Sequence, residues 1–361
     1  MTVQPLHLRA SVLPDGEQRD LWVDDRGLLR EDPVRGAQTV LDRGWVVPGL
    51  VDAHCHVGLD EHGGVDDSTT EAQALAERAA GALLLRDAGV PVDTHWIDER
   101  PDLPRIVRAG RHIARTKRYI RNYGEEIEPD QLVAEVERQA ARGDGWVKLV
   151  GDWIDREAGD LTPCWPAEAA AAAIARAHEL GVRVTAHCFG EQSVAELVAA
   201  GIDCIEHGTG LTDDVVGEMA RRGTALVPTR VQLDNFPTYA EQAAGKFPTY
   251  AAHMRALHAR CDTTLRAAVE AGVAVYAGTD AGGVLPHGLI GREVLALHEK
   301  VGMTAEAALA AGSWAARDWL GRPGLGAGAS ADLVAYDTDP RADLRVLAQP
   351  RLVLLRGRVV A

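Results

Sequence analysis

Between residues 50 and 278, eight short runs rich in apolar and β-branched residues alternate with longer helix-forming segments. The runs cover 50–54, 82–86, 105–108, 146–150, 183–187, 204–207, 225–229 and 273–278, and turn residues bound most of them. Runs of this length and composition read as buried strands. Helices are predicted over 70–80, 129–142, 166–180, 190–200, 212–222, 248–271 and 287–300, and the Ala-rich stretch 166–180 is the strongest helix former among them. Strands separated by helices imply parallel βαβ units, hence an α/β fold, either a closed barrel or an open sheet. The repeating segment is close to the ~250 residues of a typical barrel.

The two ends of the chain are patterned differently. Leu6-His7-Leu8-Arg9-Ala10 and Asp20-Leu21-Trp22-Val23 alternate like strands, as do Ala331 to Tyr336 and Arg351 to Arg356. Neither end is large enough to bury a core alone. They are expected to join as one composite β-sandwich built from 1–48 and 326–361, with 49–325 as the barrel. A net charge of -15 argues against nucleic acid or an anionic membrane as partner and leaves a small-molecule substrate. The five cysteines are odd in number and contain no C-x-x-C pair, which fits a reducing compartment. The first residues lack a signal peptide's apolar region and no stretch is apolar enough to span a bilayer. The expectation is a cytoplasmic protein, with homo-oligomer formation left open.

The first strand ends in Asp52-Ala53-His54-Cys55-His56. Residues two apart on a strand share a face, so His54 and His56 project together, either as half of a metal site or as two unrelated histidines at a strand end. Lys148 lies inside the apolar run Trp146-Val147-Lys148-Leu149-Val150, where it either reaches the strand end or is buried with a lowered pKa. Strands five and six end in His187 and His207, and the eighth ends in Gly278-Thr279-Asp280. The run Pro48-Gly49-Leu50-Val51-Asp52-Ala53-His54-Cys55-His56 resembles the signature of the amidohydrolase superfamily, and Gly328 to Val334 is similar to a stretch of its terminal sandwich. That resemblance implies a (β/α)8 TIM barrel with one or two metals at the C-terminal ends of the strands. It implies His54, His56, Lys148, His187, His207 and Asp280 as ligands. Lys148 would carry a CO2-derived carbamate bridging two divalent ions, with zinc favoured by the imidazole-rich set. His187 and His207 would hold the more exposed ion, which polarises the substrate carbonyl. Asp280 would touch the first and transfer protons, so Asp280 and His207 are the catalytic candidates. Leu84-Leu85-Arg86-Asp87-Ala88-Gly89 looks like the branch of imidazolonepropionase-like proteins and Xaa-Pro dipeptidases.

One stretch departs from those relatives. Where they carry Thr-Gly-Gly-His after strand three, this chain has Thr116-Lys117-Arg118-Tyr119, putting Tyr119 in the place of a substrate-facing histidine. Arg118, Tyr119 and Arg230 are the expected substrate contacts, the arginines as carboxylate anchors, with His287 on the loop beyond Asp280. Glu206 is read as turned away from the site by strand alternation, and His112 as an ordinary histidine. The segment 230–250, with Phe-Pro-Thr-Tyr twice, is poorly patterned and reads as a long loop on the barrel's upper face, a lid or a surface excursion. Together these readings describe a binuclear hydrolase of an amide or peptide-like bond in a dipeptide or N-acyl amino acid. A mononuclear deaminase or cyclic amidase, a lactone or ester hydrolase, and a catalytically silent binding barrel stay open.

Overall fold

The computed structural model describes residues 3–322 and 324–361. Seven parallel strands form most of a barrel: Leu50–Cys55, Ala82–Asp87, Arg105–Arg108, Trp146–Val150, Arg183–Cys188, Cys204–His207 and Ala225–Val227. The expected eighth strand forms no regular ladder among the described residues, yet the segment 273–281 closes the ring. Leu226 N donates to Ala274 O at 2.8 Å on one side, and on the other Ala53 N donates to Ala277 O at 2.8 Å and Asp280 N to His54 O at 2.7 Å. Close approach explains its shape. A Cβ on Gly278 would sit 2.5 Å from Val227 Cγ1 and 2.6 Å from His54 Cβ, so only glycine lets the segment wedge between its neighbours. Between the third and fourth strands the ring is carried by Asp144 N donating to Arg108 O at 2.8 Å.

The helices lie where the alternation places them, at Asp67–Ala79, Leu132–Ala140, Ala167–Glu179, Glu191–Ala199, Asp213–Arg222, Pro248–Glu270 and Ile290–Ala296. In Ala167–Glu179 the buried residues Ala170, Ala173, Ile174 and Ala177 recur at helical spacing, which turns one stripe onto the barrel. Asp66 starts the first helix by accepting from Thr69 N.

The segment 230–250 is not a loop. It folds as Arg230–Leu233, Phe236–Ala244 and the start of Pro248–Glu270. Each Phe-Pro-Thr-Tyr copy begins a helix, with proline in the first turn, where its missing N–H costs no hydrogen bond. Phe236, Tyr239, Ala240 and Ala243 then follow the helical period.

The ends of the chain build one mixed sheet, eight-stranded among the described residues. Trp45–Pro48 is its hinge, running parallel to Leu6–Val12 and antiparallel to Leu333–Tyr336. The sheet closes over its own apolar core, including Leu8, Val23, Val46, Leu333 and Leu354, as a sandwich-like cap on the barrel. Among the described residues no helix is long and apolar enough to cross a membrane.

Candidate metal centre

At the C-terminal ends of the first strand and the closing segment, three donors converge. His54 Nε2 and His56 Nε2 are 3.1 Å apart, and Asp280 Oδ1 lies 3.0 Å from the first and 3.1 Å from the second. The scaffold fixes which ring atoms face inward. His56 Nδ1–H donates to Gly89 O at 2.8 Å, leaving the Nε2 lone pair toward the site. Asp52, fully buried, accepts from His54 N at 3.1 Å and from Thr279 N and Oγ1 at 3.0 and 2.5 Å, stitching the two segments together. Burial lowers the His54 pKa to about 4, while the neighbouring imidazoles hold Asp280 well below the usual carboxylate range. Two imidazoles, His54 neutral, with an ionised carboxylate converging on one point are a donor set that fits a divalent cation. Among the described residues, this is the one such cluster of three.

His187 and His207 make a second pair beside it, with His207 Nε2 3.1 Å from His187 Nδ1 and His207 Nδ1 2.7 Å from Thr229 Oγ1. Burial lowers His207 to about 3 and puts His187 well below the usual histidine range, so both imidazoles are neutral. His187 turns Nδ1 to His207, while its Nε2 is buried 3.9 Å from Asp152 Oδ1, without a hydrogen-bond partner among the described residues. Three residues here take left-handed backbone, His207 at φ 66°, Thr229 at φ 47° and Asp280 at φ 60°. Such strain in non-glycine residues concentrates at functional sites.

Lys148 is 1% exposed, and its ammonium pairs with Glu206. Glu206 is therefore not turned away. It lies in the barrel interior and also accepts from Arg86 Nη2 at 3.1 Å and Thr185 Oγ1 at 2.8 Å, with His54 Nδ1 3.6 Å off. These partners hold its carboxyl well below the ordinary range despite burial. Glu206 faces inward as a regular strand residue, and His207 reaches the site because its positive φ breaks the alternation. The cation-carboxylate chain Arg86, Glu206, Lys148 thus lies directly beneath His54.

A cavity of about 430 Å³ opens on this face. His56, His187 and Asp280 form its floor, and Tyr119, Tyr123, Trp153, Phe189, Tyr239, Phe247 and Tyr250 line its walls. Tyr119 stands edge-on to His187 at 5.6 Å and to Trp153 at 4.9 Å, and burial keeps its phenol protonated. The other expected substrate contacts are used elsewhere. Arg118 donates to Asp155 Oδ2 and to the carbonyls of Trp153 and Thr162, each at 2.9 Å, and so holds the hairpin Asp152–Asp155 and Asp160–Pro163 that presents Trp153. Arg230 pairs with Asp262 and Asp234. His287 Nδ1 lies 2.8 Å from buried Glu77 Oε1. The cation in the cavity lining is Lys246, its amine 5.2 Å over the Phe247 ring. His112, given no special role by the sequence, is fully buried and stacks on His56 at 5.1 Å.

Comparisons with known proteins agree with this fold. The chain is 58% identical over 354 residues to an uncharacterized protein of Mycobacterium tuberculosis, covering 98% of this chain and 95% of that one. Its fold matches a Xaa-Pro dipeptidase with methionine bound in the active site, at TM-score 0.83, 22% identity and coverage of 98% and 99% of the two chains. It likewise matches a prolidase complexed with N-methylphosphonate-L-proline, at TM-score 0.81, 20% identity and coverage of 99% of each chain. The sequence model of the amidohydrolase family matches residues 45–360, and the chain belongs to that family.

Proposed function

We propose that this enzyme hydrolyses the amide bond of a small N-acyl amino acid or dipeptide that carries a bulky apolar or aromatic group and a free carboxylate. Family and ligand cluster together make the chain a metal-dependent hydrolase of amide or peptide-like bonds, related in fold to prolidases. The single observation carrying the finer reading is the aromatic cavity standing on His56, His187 and Asp280. A fold relative holds methionine in its active site, which supports a product of amino-acid size.

His54, His56 and Asp280 would hold one divalent ion and His187 and His207 a second, zinc by the chemistry of the donors, and Lys148 would carry a carbamate. Bound there, the ions would supply Lewis acidity and lower the pKa of a water to near neutral. The chain's own residues do the rest. Ionised Asp280 accepts the proton of the attacking water and returns it to the leaving amine. The protonated Tyr119 phenol donates to the substrate carbonyl oxygen. The aromatic walls strip water from the apolar group and hold the scissile bond over the histidines. Lys246 takes the carboxylate at the mouth, the role that Arg118 and Arg230 cannot fill because their guanidinium groups already hold aspartates.

One observation favours a second reading. Lys148 is an ammonium held by Glu206, and only three donors converge tightly among the described residues, as a mononuclear hydrolase would require. Metal analysis after loading with zinc and bicarbonate separates the two, by a plateau at two equivalents or at one. The substrate reading is tested with Lys246→Met on N-acyl aromatic amino acids and their C-terminal amides. The variant should lose about 10-fold or more in kcat/KM on the free acids, equivalent to ~1.4 kcal/mol, and little on the amides. Equal effects on both would remove the carboxylate anchor.

A further inference from the structure

A second cavity, of about 390 Å³, lies where the barrel meets the sheet built from the chain ends. Arg105, the first residue of the third strand, lines it near the N-terminal end of the barrel, away from the metal ligands. Five arginines line it, against three aspartates. In a chain of net charge -15, this local excess of two positive charges needs an explanation.

The internal pairing does not supply one. Arg108 is satisfied by Asp98, Asp144 and Thr94. That leaves Arg105, Arg317, Arg322 and Arg356 around one carboxylate, Asp332, which already accepts from Arg356 N at 2.7 Å, Ser330 Oγ at 2.9 Å and Arg105 Nε at 3.3 Å. Arg317 is 5% exposed. Its Nε donates to Gly49 O at 2.7 Å, while its Nη2 is buried with no partner among the described residues. Arg356 Nη1 donates to Arg100 O at 2.7 Å, and its Nε is likewise buried and unpartnered. Burial, and then the charge of Arg105, pull both guanidinium groups below the usual arginine range. Arg322 stands exposed at the rim with no acidic partner among the described residues. Those two nitrogens are closed to solvent, so the donors offered to the cavity are the remaining guanidinium nitrogens of Arg105, Arg322 and Arg356, and guanidinium groups match oxyanions through paired N–H donors.

We propose that this cavity binds a small phosphate-class oxyanion, either inorganic phosphate or a phosphomonoester. A dianion matches the excess of two charges. The volume holds a phosphate with room for a small substituent. The bound anion would join Arg105 and Arg322 to Arg356 of the terminal sheet, and so stabilise the junction between them.

The test is the thermal midpoint of the full chain at constant ionic strength, metal-loaded and metal-stripped, in chloride alone or with 10 mM inorganic phosphate, glycerol 2-phosphate or succinate. The midpoint should rise by at least about 2 °C in phosphate, to the same extent with and without metal. An equal rise in glycerol 2-phosphate identifies an ester as an acceptable source; a rise in phosphate alone assigns the free ion. Arg322→Gln should at least halve the shift, and the double variant Arg105→Gln/Arg322→Gln should abolish it, both with unchanged hydrolytic activity. If the double variant does not fold, the single rim variant decides. No rise in the wild type, a rise that requires metal, a rise in succinate only, or a full rise in Arg322→Gln would each overturn the proposal.

Discussion

Glu206→Gln probes the buried charge chain beneath the metal ligands. Glu206 and Arg86 are 0% exposed and Lys148 is 1% exposed, so solvent screens little of their interaction. Removing the carboxylate charge leaves two buried cations facing a neutral amide. Breaking a buried pair in this way costs ~3–5 kcal/mol, and the remaining amide oxygen can still accept from one donor, which puts the expected loss near ~3 kcal/mol. For a chain of this size the midpoint should fall by roughly 4 °C. Urea and thermal unfolding of metal-stripped protein give the loss, and Lys148→Met with the double variant completes a cycle. The coupling should lie at the upper end of the usual range for contacting residues, about 2–3 kcal/mol. Loading with zinc and bicarbonate should shrink that coupling, because a carbamate on Lys148 no longer offers Glu206 an ammonium. A loss under about 1 kcal/mol, or an additive double variant in metal-stripped protein, would refute the buried ion pair.

Other consequences are open to direct measurement. Asp280→Asn should keep the fold but lose about 10²–10⁴-fold in kcat, because the amide cannot take the proton; a loss of only a few-fold would place proton transfer elsewhere. Tyr119→Phe should lower kcat more than it raises KM, by roughly 10-fold or more, and a change in KM alone would make the phenol a binding contact only. His54 and His207 have pKa values of about 4 and about 3 in the fold against 6.5 when unfolded, so their stabilising effect is complete above pH 6.5 and is lost as pH falls toward 4. Metal-stripped protein should therefore lose on the order of 3–4 kcal/mol between pH 7 and pH 5, read by urea unfolding, and a flat profile would show that these imidazoles titrate normally.

The barrel was legible because its signal is repetitive: seven of eight strands and the helices between them follow from apolar runs alternating with helical periods. The eighth was readable as a segment and not as a ladder, since Gly278 was chosen by close approach, which no periodicity reports. His54, His56 and Asp280 were found because motif and strand order point to the same end of the barrel. Glu206 was misplaced because local alternation assumes regular backbone, and His207 is not regular. Loop position and charge point to Arg118 and Arg230 as carboxylate anchors, but their partners Asp155, Asp234 and Asp262 are set by tertiary structure. The helices over 230–250 are hidden because the segment lacks a clear apolar period, while the start signal it does carry is a proline in the first turn of each helix. The aromatic walls draw on residues from 119 to 250, and no local pattern could have gathered them.

The most direct measurement is hydrolysis of an N-acyl aromatic amino acid by one preparation in three states: as purified, stripped with a chelator, and reloaded with zinc. The account predicts turnover that disappears on stripping and returns on reloading, with metal content returning in parallel and neither returning in a His54→Ala/His56→Ala variant. Turnover that survives complete metal removal, or a reloaded protein that binds metal through His54 and His56 yet cleaves no amide across a panel of such substrates, would contradict it.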